Sequence, residues 1–139
     1  YSPTEAVVFE TTASAIDAFR KPDFDFRQRV AVMEAVAADL NPAAVESVEV
    51  SRMGMRVKAS SPGASLLVLP LQFSRCLDLN ANGEGAAARL VRANFMQTGL
   101  LFTGRIDATI RFSYGPHRNA WCRLKDSREF AALAPARAH

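Results

Sequence analysis

Few side chains in this sequence are of types that perform chemistry. There are two histidines: His117, directly after Gly115-Pro116, and His139, the last residue. A Ser–His–Asp or Cys–His arrangement would have to use His117, and no G-x-S-x-G nucleophile motif occurs. Asp23-Phe24-Asp25 has the D-x-D spacing with which some glycosyltransferases hold a nucleotide-bound divalent metal. No nucleotide-binding α/β pattern surrounds it, so Asp25 is read as capping a turn before a strand at Arg29. Cys76 and Cys122 lack C-x-x-C spacing and nearby His ligands, which argues against a metal site. No catalytic residue, metal or cofactor is therefore assigned to the chain itself.

Binding has more to work with. Trp121 is the single tryptophan, beside Cys122 and Arg123, and its indole face could stack on a pyranose ring. The bland alternative is a core or interface anchor. Gln72, Arg75, Asn94 and Gln97 are the further candidate ligand contacts, as polar residues that could line a cleft or simply end strands. Of the 17 basic residues only Lys21, Lys58 and Lys125 are lysines. Arginine's fork suits phosphate, but the bases are scattered along an Ala-rich chain, and no nucleic-acid motif appears, so no nucleic-acid partner is expected.

These residues must be positioned by a scaffold of 139 residues, 49% hydrophobic, 22% charged, with a net charge of +3. That is enough for one domain with one core, and too apolar for a disordered tail. Thr11 to Phe19 can form a short helix capped by Thr12 or Ser14 and ended by Lys21-Pro22. Beyond it the pattern is β. Val30, Val32, Glu34 and Val36 alternate, and Val45 to Ser51 suits a half-buried strand. Met53, Met55, Val57 and Ala59 point inward with Arg56 and Lys58 outward. Ser60-Ser61-Pro62-Gly63 reads as a turn, and Ser65 to Phe73 as a central strand. Asn80 to Gly85 reads as a hairpin connection, followed by strands at Arg89–Phe95, Gly99–Gly104 and Ile106–Tyr114. The expectation is an antiparallel β-sandwich of jelly-roll type with a short N-terminal helix. Residues 1–28 form the helical or extended lead-in, 29–116 the sandwich, and 117–139 a frayed or briefly helical tail. Its expected core is Val30, Val32, Val57, Leu67, Leu69, Val91, Leu101, Ile110 and Phe112.

Several segments in order resemble the YfhO-like bacterial membrane proteins. Pro22 to Glu34 is similar to that family's Phe-Asp segment with basic residues and a Val-rich strand ending in Glu. Met55 to Leu69 is similar to the strand–turn–strand that follows. Phe73-Ser74-Arg75-Cys76, Asn82-Gly83, Gly99 to Gly104 and Phe112-Ser113-Tyr114-Gly115-Pro116 occupy the places of its later motifs, with Cys76 where the family tends to have Trp. The resemblance spans roughly residues 10 to 116. It implies an excised extracytoplasmic domain on the periplasmic face of a bacterial inner membrane, tethered through transmembrane segments that lie outside the sequence. The opening Tyr1-Ser2-Pro3-Thr4-Glu5 has no signal-peptide pattern and is read as the start of a piece of something longer. The parent would resemble membrane glycosyltransferases that use lipid-linked sugars. This domain would then be a non-catalytic accessory whose partners are the membrane-embedded remainder of its own chain and a glycan or lipid-linked sugar. The alternative is a free-standing periplasmic module that binds carbohydrate or protein. In that oxidising compartment Cys76 and Cys122 are a disulfide candidate, against the alternative of two buried thiols.

Overall fold

The computed structural model describes residues 1–83, 87–113 and 116–133. It is mainly β. The described residues form seven strands: β1 (Glu5–Val8), β2 (Arg29–Val32), β3 (Ala44–Ser51), β4 (Gly54–Gln72), β5 (Leu77–Asn82), β6 (Arg89–Ala93) and β7 (Gln97–Phe112). Helix α1 (Thr12–Phe19) lies between β1 and β2, and α2 (Pro116–Leu133) follows β7. All seven strands belong to one hydrogen-bonded sheet, ordered β1-β2-β6-β7-β4-β3, with β5 pairing β7.

The two longest strands organise everything else. β4 and β7 pair antiparallel from Gly54↔Arg111 to Gln72↔Gln97, so Ser60 to Gly63 is no turn. The chain runs through it as a bulged bend, with three β4 residues set against Thr103 between the pairs Ser61↔Gly104 and Ser65↔Phe102. A bulge absorbs Pro62 because the ladder is already interrupted there. The stretches expected as separate strands at Gly99–Gly104 and Ile106–Tyr114 are likewise one strand, with Tyr114 outside the described residues. Along its other edge β7 pairs first with β6 (Val91↔Gly99) and then with β5 (Leu79↔Ile110). β5 and β6 are thus not joined as a hairpin. Asn80, Ala81 and Asn82 lie within β5, while Glu84 and Gly85 fall outside the described residues.

One face of this ribbon is covered along its length, and the other over its Ser65–Leu69 part. On one, Met55, Val57, Ala59, Leu67, Leu69, Leu100, Phe102, Ile106, Ala108 and Ile110 form a continuous buried cluster. On the other, Leu66, Val68, Val91 and Ala93 pack with Val30, Val32, Ala6 and Leu40. That explains the unbroken apolar run of β4: a strand buried on both sides needs no polar alternation. The expected core residues Val30, Val32, Val57, Leu67, Leu69, Val91 and Ile110 are all buried. Leu101 is only partly buried against the second cluster, and Phe112 is 40% exposed because it ends the last strand beyond the covered region. Met53 faces solvent in the β3–β4 turn. The valines of β3 are exposed rather than half-buried, Val50 by 73%, since β3 is the open edge of the sheet.

The lead-in contributes more than a tether. β1 pairs in parallel with β2, so β1, α1 and β2 make a crossover unit joined to the sheet. The helix is capped by Thr11, whose Oγ1 accepts from Ser14 N at 3.1 Å. Thr12 and Ser14 themselves lie within the helix. The strand expected to run to Val36 stops at Val32, where the backbone leaves the ladder and Glu34 turns aside to pair with Arg89. At the far end the expected tail is an 18-residue helix. Pro116 opens it, a position where proline's missing N–H costs no helical bond. Residues 134–139 of the expected tail lie outside the described residues.

Candidate functional site

Among the described side chains, helix α2 is fastened to the sheet by one face. Cys122, Asp126 and Glu129, at spacings of four and three, share one helical stripe. Cys122 is disulfide-bonded to Cys76, with Cα atoms 5.1 Å apart. Asp126 accepts from Ser74 Oγ at 2.5 Å and from Arg75 N at 2.8 Å. Glu129 accepts from Arg75 Nε at 2.9 Å and from Arg92 at 2.7 Å. Arg92 rises from the middle of β6 with its side chain 8% exposed. Its guanidinium stacks 4.8 Å from the Phe73 ring centroid and 5.2 Å from Phe130, and donates to Phe95 O. A buried guanidinium is tolerable here because aromatic faces and acceptors replace water on each side.

The neighbouring stripe of α2 carries Trp121 and Lys125, again four residues apart, and both line an open cleft of about 400 Å³. The opposite wall is Arg75, Cys76, Asp78 and Ser113, from the β4–β5 turn and the start of β5 and end of β7. A second depression, over Asp78, Asn80, Thr109, Arg111 and Ser113, adjoins the first through their shared Asp78 and Ser113. Trp121 is 67% exposed, so its indole is a wall of the cleft and not a core anchor. Sequence reasoning singled out Arg75 and Trp121, and the fold brings these two together. The disulfide forms the floor between them.

The other candidates fall elsewhere. Gln72 and Gln97 are cross-strand partners at the end of the β4–β7 ribbon, beside Asn94 in the β6–β7 turn. Asn94 is consumed by the fold: its Oδ1 accepts from Ala31 N at 3.0 Å, and its Nδ2 donates to Tyr1 OH and to Gln97 Oε1. Those bonds hold the left-handed backbone of Asn94 (φ 45°) and Phe95 (φ 70°), an unusual state for a phenylalanine. Asp25 acts as expected, its Oδ1 accepting from Arg27 N at 2.8 Å in a turn. His117 lies in the first turn of α2 rather than in a loop, with its side chain outside the described part. His139 also falls outside it.

Lys125 and Asp78 belong to the cleft and Arg111 to the adjoining depression, and all three were missed from sequence. Their signal was faint: a Trp-to-Lys spacing of four becomes informative only once residues 116–133 are known to be helical. A larger depression of about 470 Å³ on the outer sheet face is lined by Glu46, Lys58, Asn82, Arg105 and Asp107. Its charges are already paired, Asp107 with Lys58 at 3.9 Å and with the neighbouring Arg56 at 2.7 Å, and Arg105 with Glu46 at 3.0 Å. Among the described residues there is no metal-ligating cluster, and no helix is long and apolar enough to cross a membrane. No family model, curated protein or solved structure matches the chain.

Proposed function

We propose that this chain is a non-catalytic glycan-binding domain, and that the cleft between α2 and the start of β5 is its binding site. The observation that carries this reading is the exposed Trp121 face, fixed on a disulfide-anchored helix and flanked by Arg75, Asp78 and Lys125. A pyranose stacks its C–H face on such an indole while its hydroxyls need donors and acceptors around the rim. A cleft that is already formed loses little ordering entropy on binding.

The setting we propose is extracytoplasmic, as an accessory domain of a YfhO-like polytopic membrane protein that handles lipid-linked sugars. The order of motifs from Pro22 to Pro116 supports that setting, and the Cys76–Cys122 bridge is compatible with an oxidising compartment. We also take the bent sheet as a variant of the sandwich. In support, Met55 and Val57 before the β4 bend share one apolar cluster with Leu67 and Leu69 after it.

The single tryptophan makes the test direct. Titration with soluble oligosaccharides should shift or quench intrinsic fluorescence, and Trp121→Ala should abolish binding by calorimetry while leaving far-UV circular dichroism unchanged. Undiminished binding by Trp121→Ala would overturn the site, and the absence of binding across neutral and acidic oligosaccharides would overturn the function. The full-length open reading frame tests the setting, because several apolar segments of ~20 residues must accompany this domain.

A further inference from the structure

We infer that the cleft selects acidic glycans, those carrying uronate carboxylates or sulfate esters, over neutral ones. The inference rests on the glycan-binding reading and adds the charge class of its ligand. Its basis is where the charges of α2 and of the sheet are spent. The acidic side chains nearest the anchoring stripe, Asp126 and Glu129, point to the sheet and are occupied by Ser74, Arg75 and Arg92. Asp78 is the only carboxylate among the described residues lining the two adjoining depressions, and it is already engaged.

The cations there stand differently. Lys125 shares the cleft with Trp121, and Arg111 lines the adjoining depression; among the described residues neither has an ion-pair partner. Arg75 gives its Nε to Glu129, and no bond from its two terminal nitrogens is formed among the described residues. The lining therefore offers Lys125 and Arg111, the latter opposite Asp78 in the β5–β7 ladder, together with the terminal nitrogens of Arg75, whose charge is shared with Glu129 and whose guanidinium lies 5.3 Å from the Phe73 ring centroid, against one engaged carboxylate. A neutral sugar would offer these donors only uncharged hydroxyls, whereas a carboxylate or sulfate ester on the ring stacked at Trp121 would meet Lys125 and Arg75 with a charge. Arg111, beyond Ser113, is placed for the anionic group of the next sugar along the chain. Charge-assisted bonds of this kind are the stronger class and fix a planar acid's orientation.

The test compares oligogalacturonides with neutral galacto-oligosaccharides of equal length, using Trp121 fluorescence for the intact protein and calorimetry for variants. Oligogalacturonides should bind more tightly, with affinity falling as salt rises. Arg111→Gln should weaken them by about tenfold and leave the neutral series unchanged, and Lys125→Gln should weaken them by a larger factor than it weakens the neutral series, whose hydroxyls also meet this rim. Equal affinity for the acidic and neutral series, insensitive to salt and to both variants, would overturn the charge inference while the glycan site stands. Failure of both series to perturb Trp121 would overturn the site and this inference together.

Discussion

Opening the Cys76–Cys122 bond should destabilise the domain by an amount set by chain statistics. The bridge joins residues 46 apart in sequence. Closing a loop of that size removes about 4 kcal/mol of conformational free energy from the unfolded chain. The native state should survive the loss. Helix α2 keeps the ion pairs of Glu129 with Arg75 and Arg92, the Asp126 bonds, and the packing of Arg92 between Phe73 and Phe130. The effect therefore acts chiefly through the unfolded state. With an unfolding entropy near 2.1 cal/mol/K per residue, a loss of this size lowers Tm by roughly 14 °C. Urea denaturation of oxidised protein, of protein held reduced, and of a Cys76→Ala/Cys122→Ala variant gives the measurement. The two open forms should agree within about 1 kcal/mol, since Cys→Ala at a site this small leaves little cavity. Their m-values should exceed that of the oxidised form, because an uncrosslinked unfolded chain exposes more surface. A loss below about 1 kcal/mol in both open forms, with helix content retained, would refute the loop-entropy reasoning.

Four further outcomes follow from individual side chains. A Cβ on Gly99 would stand 2.8 Å from both Leu66 Cδ1 and Val91 Cγ2, so Gly99→Ala should cost about 1–3 kcal/mol by chemical denaturation; a neutral result would mean that the second cluster is loosely packed. Thr98 Oγ1 is buried without a hydrogen-bond partner among the described residues, so the isosteric Thr98→Val should be neutral or stabilising by about 1 kcal/mol, and a clear destabilisation would reveal a missing partner. Arg92→Ala removes the buried end of the helix-docking pair and should cost about 3 kcal/mol, read by thermal melting, with α2 loosened first in hydrogen exchange. The Arg56 guanidinium holds the Asp107 carboxyl below its ordinary value of 3.8. A depressed carboxylate stabilises the fold fully above that value and loses its contribution as pH falls through the lower folded-state value. Asp107→Asn should therefore flatten the acid limb of the stability–pH profile below about pH 4, and an unchanged limb would remove the pair from the account.

Much of the β character was legible in the sequence because alternation is local. Met55, Val57 and Ala59, then Ile106, Ala108 and Ile110, declare their buried face within a few residues, and Ser65 to Phe73 declares two. The bend was not legible. Pro62 and Gly63 carry the composition of a turn, and only the long pairing of β4 with β7 on either side turns them into a bulge inside one strand. Partner choice is also nonlocal, so nothing near Asn82-Gly83 could say that β5 and β6 both pair with β7 and not with each other. The valines of β3 alternate as a half-buried strand does, yet their exposure depends on which strand closes the sheet, and among the described residues none lies beyond them.

The candidate site divides along the same line. The sequence alone supplied the residue types: one tryptophan, two cysteines able to pair, and an arginine beside one of them. It could not supply their meeting. Arg75 and Trp121 are far apart along the chain and face one cleft only because α2 lies across the end of the sheet. That placement depends on a guanidinium from β6 held under the helix by Phe73, Phe130 and Glu129. Residue type is a property of the chain, but proximity between distant segments is a property of packing, so tertiary structure alone made a cleft of them.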